Sequence, residues 1–256
     1  MTLTTIIPTF NRPYFLKQCL KSVANQTIKP DEIFIIDNNK DSNINKKVFS
    51  ECLKELNLNL KYFENYGNIQ SLRNDPAKIS NCELISFLDD DDQWKNNYVE
   101  KSLDLFRSKN IDALYTSMDV VDENNSILSE IILNKDYKLS EILVFNPGFF
   151  HSNLIIKKNT FLKLNGFESK SGAADRNFFI KLKENKINYF INESKLVIRC
   201  DHSSQWSKDN KKMLIDKIIF YLKNFYRIDL LNNYKYIKNM MRIFINFIKE
   251  KFNRFF

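Results

Sequence analysis

Residues 83 to 94 read ELISFLDDDDQW. Leu84 to Leu88 has the length and apolar character of a buried strand, and four carboxylates, Asp89 to Asp92, follow it without a break. Carboxylates at the end of a buried strand repel one another in poorly screened surroundings unless a cation sits among them. A divalent metal is the simplest remedy, and a set of oxygen ligands favours Mg²⁺ or Mn²⁺ over zinc. If the extended conformation continues through the run, Asp89 and Asp91 face the same side, so one is expected to reach a ligand and the other a metal. The alternative is a solvated acidic loop.

Upstream of this stretch, short β-rich runs alternate with helix-like segments. LTTII (3 to 7), EIFIID (32 to 37) and LKYF (60 to 63) precede ELISFL, separated by helical patterns at 14 to 26, 43 to 57 and 69 to 81. Such alternation predicts β-α-β units and a mostly parallel sheet flanked by helices, an α/β fold. Sheets of this kind bind ligands beyond the carboxyl ends of their strands. The segments expected there are Pro8 to Arg12, Asp37 to Asn39 and the four-Asp run, so three loops should converge on one crevice. Downstream the pattern is less regular. It predicts helices near 96 to 109 and 173 to 185, strands near 113 to 118, 127 to 132, 153 to 157, 188 to 191 and 195 to 199, and a turn at Leu164 to Phe167.

The chain has 256 residues, 43% hydrophobic and 27% charged, enough apolar material for a sizeable core, which excludes intrinsic disorder. Cys19, Cys52, Cys82 and Cys200 lie far apart with no CxxC pair, so neither a disulfide framework nor a zinc site is indicated, and a reducing cytoplasm is expected. The first residues, MTLTTIIPTF, do not support a signal peptide, and no stretch reaches the ~18 uncharged apolar residues of a membrane-spanning helix. Residues 1 to 207 carry 27 basic and 27 acidic residues, whereas 208 to 256 carry 12 basic and 4 acidic ones, so the whole net charge of +8 belongs to the tail. The expected division is a catalytic domain over 1-207, with a nucleotide-binding half at 1-93 and an acceptor-side half at 94-207, followed by a basic aromatic tail at 208-256.

PTFNRPYFLKQCLKSVANQT, EIFIIDNN, SLRNDPAKISNCELISFLDDDDQW and GFESKSGAADRNFFIKL occur in this order and at approximately the spacing of the family 2 glycosyltransferases of GT-A fold, which the sequence resembles over roughly residues 1 to 205. The resemblance implies an inverting enzyme that takes a nucleotide-sugar, UDP-linked in the expected case, and Mn²⁺ or Mg²⁺. It implies that Pro8, Thr9 and Asp37 cradle the uracil, Asp37 as acceptor for the imino N–H. Taken alone, Asp37 could equally serve as a helix N-cap or an Asx turn. Arg73 resembles the Arg beside the nucleotide, able to stack on the base or counter phosphate charge, with a surface ion pair as the alternative. Asp89 matches the first Asp of the DxD motif, which contacts the ribose, and Asp91 the second, which holds the metal. Asp92 matches a further acidic position with no assigned role.

Asp175 stands where the family places its catalytic base. A sugar hydroxyl is a poor nucleophile, and a carboxylate must take its proton as it attacks the anomeric carbon. The sequence departs from the pattern at Ala174, where Glu is usual, and at Arg176. The other reading of Asp175 is a carboxylate complementing the helix dipole, in which case Glu168 is the next candidate base. His202, in RCDHSSQW, resembles a late His that completes the metal shell in some relatives, the alternative being a hydrogen-bonding loop residue. His151 is expected to line or support the acceptor side, the alternative being core packing, and Trp94 to pack beneath the acidic loop, the alternative being stacking on the acceptor.

In 234 to 256, Lys235, Lys238, Asn239, Arg242, Asn246, Lys249 and Asn253 recur at helical spacing opposite Ile237, Met240, Met241, Phe244, Ile248 and Phe252. A basic amphipathic helix of this kind can lie on an anionic bilayer or pack on the body, and a cytoplasmic enzyme peripheral on the inner membrane face follows from the first reading. The expected partners are a nucleotide-sugar donor and a glycan or lipid-linked glycan acceptor, and no nucleic-acid-binding motif accompanies the charge. A nucleotidyltransferase of similar fold and a non-catalytic membrane-associated module are the rival readings. PTFNRP does not fit the GxGxRL loop that the nucleotidyltransferase would call for.

Overall fold

A computed structural model describes residues 1–39, 43–134, 137–168, 173–203, 205 and 210–227, with isolated positions between 234 and 245. The first half alternates as the sequence predicts: β1 (Leu3–Thr9), α1 (Pro13–Ala24), β2 (Glu32–Asp37), α2 (Asn43–Glu55), β3 (Leu60–Glu64), α3 (Ser71–Ile79) and β4 (Leu84–Phe87). The second half contains β5 (Asp92–Trp94), α4 (Tyr98–Ser108), β6 (Ala113–Val121), β7 (Ile127–Ile131), α5 (Leu139–Val144), β8 (Leu154–Lys157), α6 (Lys158–Lys163), α7 (Ala174–Glu184), β9 (Tyr189–Cys200) and α8 (Asn210–Lys223).

The strands form one sheet in the order β3-β2-β1-β4-β8-β6-β9-β5, with β7 paired to β6 off that path. The pairs β1–β2, β1–β4 and β2–β3 are parallel. Antiparallel pairing enters where β8 meets β4 and β6. The sheet is therefore mixed, parallel through the half that carries the first three loops. Each central strand is buried on both faces: β1 and β2 have no exposed residue, as a sheet covered by helices on both sides requires. Alternate residues feed two cores. Ile33 and Ile35 join one with Leu16, Cys19, Leu20 and Val23 of α1, while Phe34 and Ile36 join the other with Leu72 of α3 and Phe178 and Phe179 of α7. The apolar spacing of α1, together with Pro13 in its first turn, is what a helix packed by one face needs.

Two sequence expectations change. The runs 188 to 191 and 195 to 199 are one strand, β9, because its pairing with β6 carries on past two irregularities: Glu193 and Ser194 bulge out between the pairs Thr116–Asn192 and Ser117–Lys195, and Leu196 is passed over before Met118 meets Val197. The acidic run does not stay extended: Asp92 N–H donates to Asp89 O at 3.0 Å, closing a tight turn. Asp92 then begins β5, held by pairing with Arg199 of β9.

The division at 207/208 meets a physical detail. Phe220 and Tyr221 of α8 are buried in the core shared by α3 and α7, and Tyr221 OH donates to Val144 O at 3.1 Å. The amphipathic stretch 234 to 256 lies mostly outside the described residues. No helix among the described residues is long and apolar enough to cross a membrane.

Candidate active site

The parallel register puts Thr9, the last residue of β1, beside Asp37, the last residue of β2. Ile6 of β1 pairs with Phe87 at the end of β4. The loops leaving these strands therefore meet at one edge, and side chains tie them together. Thr9 Oγ1 donates to Asp90 Oδ2 at 2.7 Å. Arg12 reaches from the β1 loop to both Asp90 (2.7 Å) and Asp91 (2.6 Å).

Within the turn, ligand oxygens of Asp89, Asp91 and Asp92 lie within 4.8 Å of one another. Asp89 and Asp91 converge as expected, though a turn rather than a continuing strand brings this about. Asp89 pairs with Arg73 of α3. Burial alone would raise its carboxyl, but the Arg73 guanidinium, with Arg12 in support, lowers it to about 2. Asp90 turns the other way and has no exposure at all; desolvation pushes it up to about 7 against the pull of Arg12. Burial also drives Asp92 upward, with the Asp91 charge acting in the same sense. Asp91 Oδ2 accepts from Arg12 and lies 3.0 Å from His202 Nε2. The His202 ring is stacked on Phe15 at 4.3 Å between centroids. Three clustered carboxylates and an imidazole form a donor set suited to a hard divalent ion such as Mg²⁺ or Mn²⁺.

Ser152, in a single 3₁₀ turn at His151–Asn153, pins this loop from below. Its hydroxyl accepts from Asp89 N–H at 3.1 Å and its carbonyl from Trp94 Nε1 at 3.0 Å. Trp94 is buried against Tyr98, beneath the acidic turn, as the sequence leads one to expect. Nothing in the sequence singles out Ser152, because its role depends on a long-range approach to β4 and β5.

Asp37 is fully buried. It accepts from Asn39 N–H at 2.9 Å, an Asx-turn contact, from Asn45 Nδ2 at 3.1 Å, and from Tyr62 OH. Pro8 is buried within β1. Arg73 Nη1 donates to Ile69 O at 3.1 Å, and its buried Nε has no partner among the described residues.

Asp175 lies in the first turn of α7. Its Oδ1 accepts from Arg176 N–H at 2.7 Å, and Asn146 Nδ2 stands 3.5 Å from Oδ2. Desolvation raises its carboxyl above the usual range, outweighing the Arg176 N–H and guanidinium, with the Asp89 charge pushing the same way. Ala174 is 4% exposed, so a glutamate there would carry a carboxylate into an apolar core. Asn146 holds its own loop, with Oδ1 accepting from Gly148 and Phe149 N–H. Glu168 is engaged by Lys181 and Lys223, both at 3.4 Å. His151 meets the edge of Phe167, and burial followed by Arg73 lowers its imidazole to about 3, leaving it neutral.

The sequence model for "Glycosyl transferase family 2" matches residues 4–165. An uncharacterised glycosyltransferase of Methanocaldococcus jannaschii is 28% identical over 76% of this chain and 69% of its own length. A UDP-Glc:alpha-D-GlcNAc-diphosphoundecaprenol beta-1,3-glucosyltransferase, WfgD of Escherichia coli, is 26% identical over 54% of this chain and 53% of its own. Among solved structures, S. aureus TarS 1-349 in complex with UDP-GlcNAc superposes with a TM-score of 0.64 at 16% identity, covering 95% of this chain and 80% of that one. The mannosyltransferase PcManGT of Pyrobaculum calidifontis, in complex with GDP-Man and Mn²⁺, gives 0.66 at 12% identity over 94% and 68%. These structures share the fold, and the family match spans more than half of the sequence, including β1 to β4 and the acidic turn: the chain belongs to glycosyl transferase family 2.

Proposed function

We propose that this glycosyltransferase moves a sugar from a UDP-sugar to a hydroxyl of a glycan or lipid-linked glycan, with inversion at the anomeric carbon. The observation that carries the reading is the meeting of Asp89, Asp91 and Asp92 within 4.8 Å at the carboxyl edge of a parallel sheet. The uracil role of Pro8, Thr9 and Asp37 rests on the family resemblance and on the adjacency of Thr9 and Asp37. The UDP-Glc and undecaprenol named for WfgD and the UDP-GlcNAc bound by TarS support the donor and acceptor classes.

In the proposed reaction Asp89 meets the ribose and Arg73 stands beside the nucleotide. Asp91 and His202 would hold the divalent ion, which, when bound, supplies Lewis-acid neutralisation of charge building on the diphosphate. The acceptor oxygen forms a bond to the anomeric carbon as the bond to the diphosphate oxygen breaks, and Asp175 takes the acceptor proton. Its raised carboxyl makes Asp175 a stronger base than an ordinary aspartate once ionised. The basic tail would hold the enzyme against an anionic membrane, where lipid-linked acceptors reside, a role supported by the charge bias of 208 to 256.

Thermal unfolding with UDP in Mn²⁺ and in EDTA tests the site. Ligand at 100 times its dissociation constant should stabilise by about 2.7 kcal/mol with metal and far less without. Equal stabilisation in EDTA removes the metal from the site. A preference for GDP or CMP removes the uracil role of Asp37.

A further inference from the structure

Of the four carboxylates in the acidic turn, Asp89, Asp91 and Asp92 gather into one cluster, and Asp90 stands outside it. It has no exposure, and its partners are the Thr9 hydroxyl on Oδ2 and the Arg12 guanidinium on Oδ1. Among the described residues Arg12 is the only cation paired with it. A buried carboxylate tied to one guanidinium keeps that guanidinium close, because leaving it unpaired is costly. Arg12 divides its fork, one nitrogen on Asp90 and the other on Asp91 Oδ2. That same Asp91 oxygen faces His202 Nε2. The oxygen through which Asp91 and His202 would share a metal is thus already in contact with a positive charge. The Asp90 side chain has no exposure, whereas that of Arg12 is 28% exposed and so borders solvent.

We propose that Arg12 is a resident counter-cation that competes with the divalent ion for Asp91, so that metal binds tightly only together with a nucleoside diphosphate, whose phosphates take over the released guanidinium nitrogen. The inference rests on the proposed metal–diphosphate reading of the acidic turn. A guanidinium and a divalent ion cannot both contact one carboxylate oxygen without strong mutual repulsion. A planar fork that spans two carboxylates can equally span a carboxylate and a phosphate. Asp90 would then act as the pivot, retaining one nitrogen while the other swings. Binding linkage follows: whatever factor UDP adds to Mn²⁺ affinity, Mn²⁺ adds to UDP affinity.

The test is Mn²⁺ titration of the full chain, read by the electron paramagnetic resonance signal of free Mn²⁺, with and without UDP. In the unaltered protein UDP should tighten Mn²⁺ by about tenfold or more. In Arg12→Gln, Mn²⁺ alone should bind about tenfold tighter than in the unaltered protein, and the gain from UDP should shrink to within about threefold. Arg12→Lys keeps a charge but cannot span two carboxylates. It should fall between the two, and it serves as the reading if the Gln variant melts before it can be titrated. The proposal is overturned if the variants keep the full UDP-dependent gain, or bind Mn²⁺ alone no tighter than the unaltered chain. If the unaltered protein binds no Mn²⁺ even with UDP, the metal reading itself fails and this inference falls with it.

Discussion

Asn74 and Phe167 are joined by a reciprocal pair of hydrogen bonds: Asn74 Nδ2 donates to Phe167 O at 2.8 Å, and Phe167 N–H donates to Asn74 Oδ1 at 2.9 Å. The pair fastens α3, which carries Arg73, to the segment that leads toward Asp175. Gly166 permits the approach. Its φ is +57, and a Cβ there would lie 2.5 Å from Asn74 Oδ1.

Loss of this clasp should be felt in stability. Asn74→Ala leaves a partly buried N–H and C=O without partners, and each unsatisfied group costs about 1–3 kcal/mol. Gly166→Ala adds a left-handed backbone to a steric overlap and should destabilise at least as much. Urea unfolding of both variants checks this. A loss of unfolding free energy below about 0.5 kcal/mol would mean that the clasp is incidental.

The C-terminal boundary can be tested in the same way. The Arg176 guanidinium lies 3.4 Å from the centre of the Phe220 ring, and Asn224 Nδ2 donates to Asn177 Oδ1 at 3.0 Å. Arg227 adds an ion pair with Glu184 at 2.5 Å. These contacts fix α8 and the turn that follows it to the helix that bears Asp175. Phe220→Ala should cost about 3–5 kcal/mol as a large buried truncation. A chain ended after residue 233 should melt cooperatively and retain UDP binding while losing affinity for anionic vesicles. A chain ended after residue 207 should lose its cooperative transition. Cooperative melting of the shorter chain would establish 207/208 as a domain edge.

Asp119 of β6 supplies a pH-dependent contrast. It is buried between Lys95 (2.6 Å) and Lys195 (3.3 Å). Burial alone would raise its carboxyl, but the two ammonium partners outweigh that and hold it below the usual range. The unfolded chain takes up this proton near pH ~4 and the folded chain only at lower pH, so the stabilisation is present above ~4 and is lost as pH falls through the folded value. Asp119→Asn should therefore lower the melting temperature at pH 7 and matter progressively less below pH ~4. A gap that stays constant with pH would show that packing, not charge, carries the effect.

How much of this was legible beforehand follows from range. Strands β1 to β4 were readable because each is a short apolar run bounded by polar loops, and the edge on which Thr9, Asp37 and Asp89 gather follows from β-α-β order alone. The bulge at Glu193 and Ser194 was not, since a polar interruption of a strand looks like its end. The pairing of Asp90 with Arg12 has no sequence signature, because only the turn decides which of four identical side chains faces inward. Ser152, Asn146 and Asn74 act across 58, 29 and 93 residues of sequence. No local pattern carries such pairings. The burial of Phe220 is not legible in the charge pattern that marks the tail, because charge is blind to a single buried aromatic face.

The base assignment is the sharpest remaining test. Asp175→Asn keeps size and shape but cannot accept a proton, so transfer should fall by about 10²- to 10⁴-fold while UDP and metal binding persist. Asp91→Asn, by contrast, should damage donor binding and turnover together. Asn146, 3.5 Å from Asp175 Oδ2 and locked by Gly148 and Phe149 N–H, would position the base rather than exchange protons. Asn146→Ala should thus lower kcat more than KM and leave the acid limb of the kcat/KM profile in place. That limb should lie above the ~3.9 of an ordinary aspartate, because burial raises the Asp175 carboxyl and the base works only when ionised. If Asp175→Asn retains near-normal transfer to the true acceptor, Asp175 is a helix-terminal carboxylate and the base lies elsewhere. Glu168, already engaged by Lys181 and Lys223, would then have to break two ion pairs to serve.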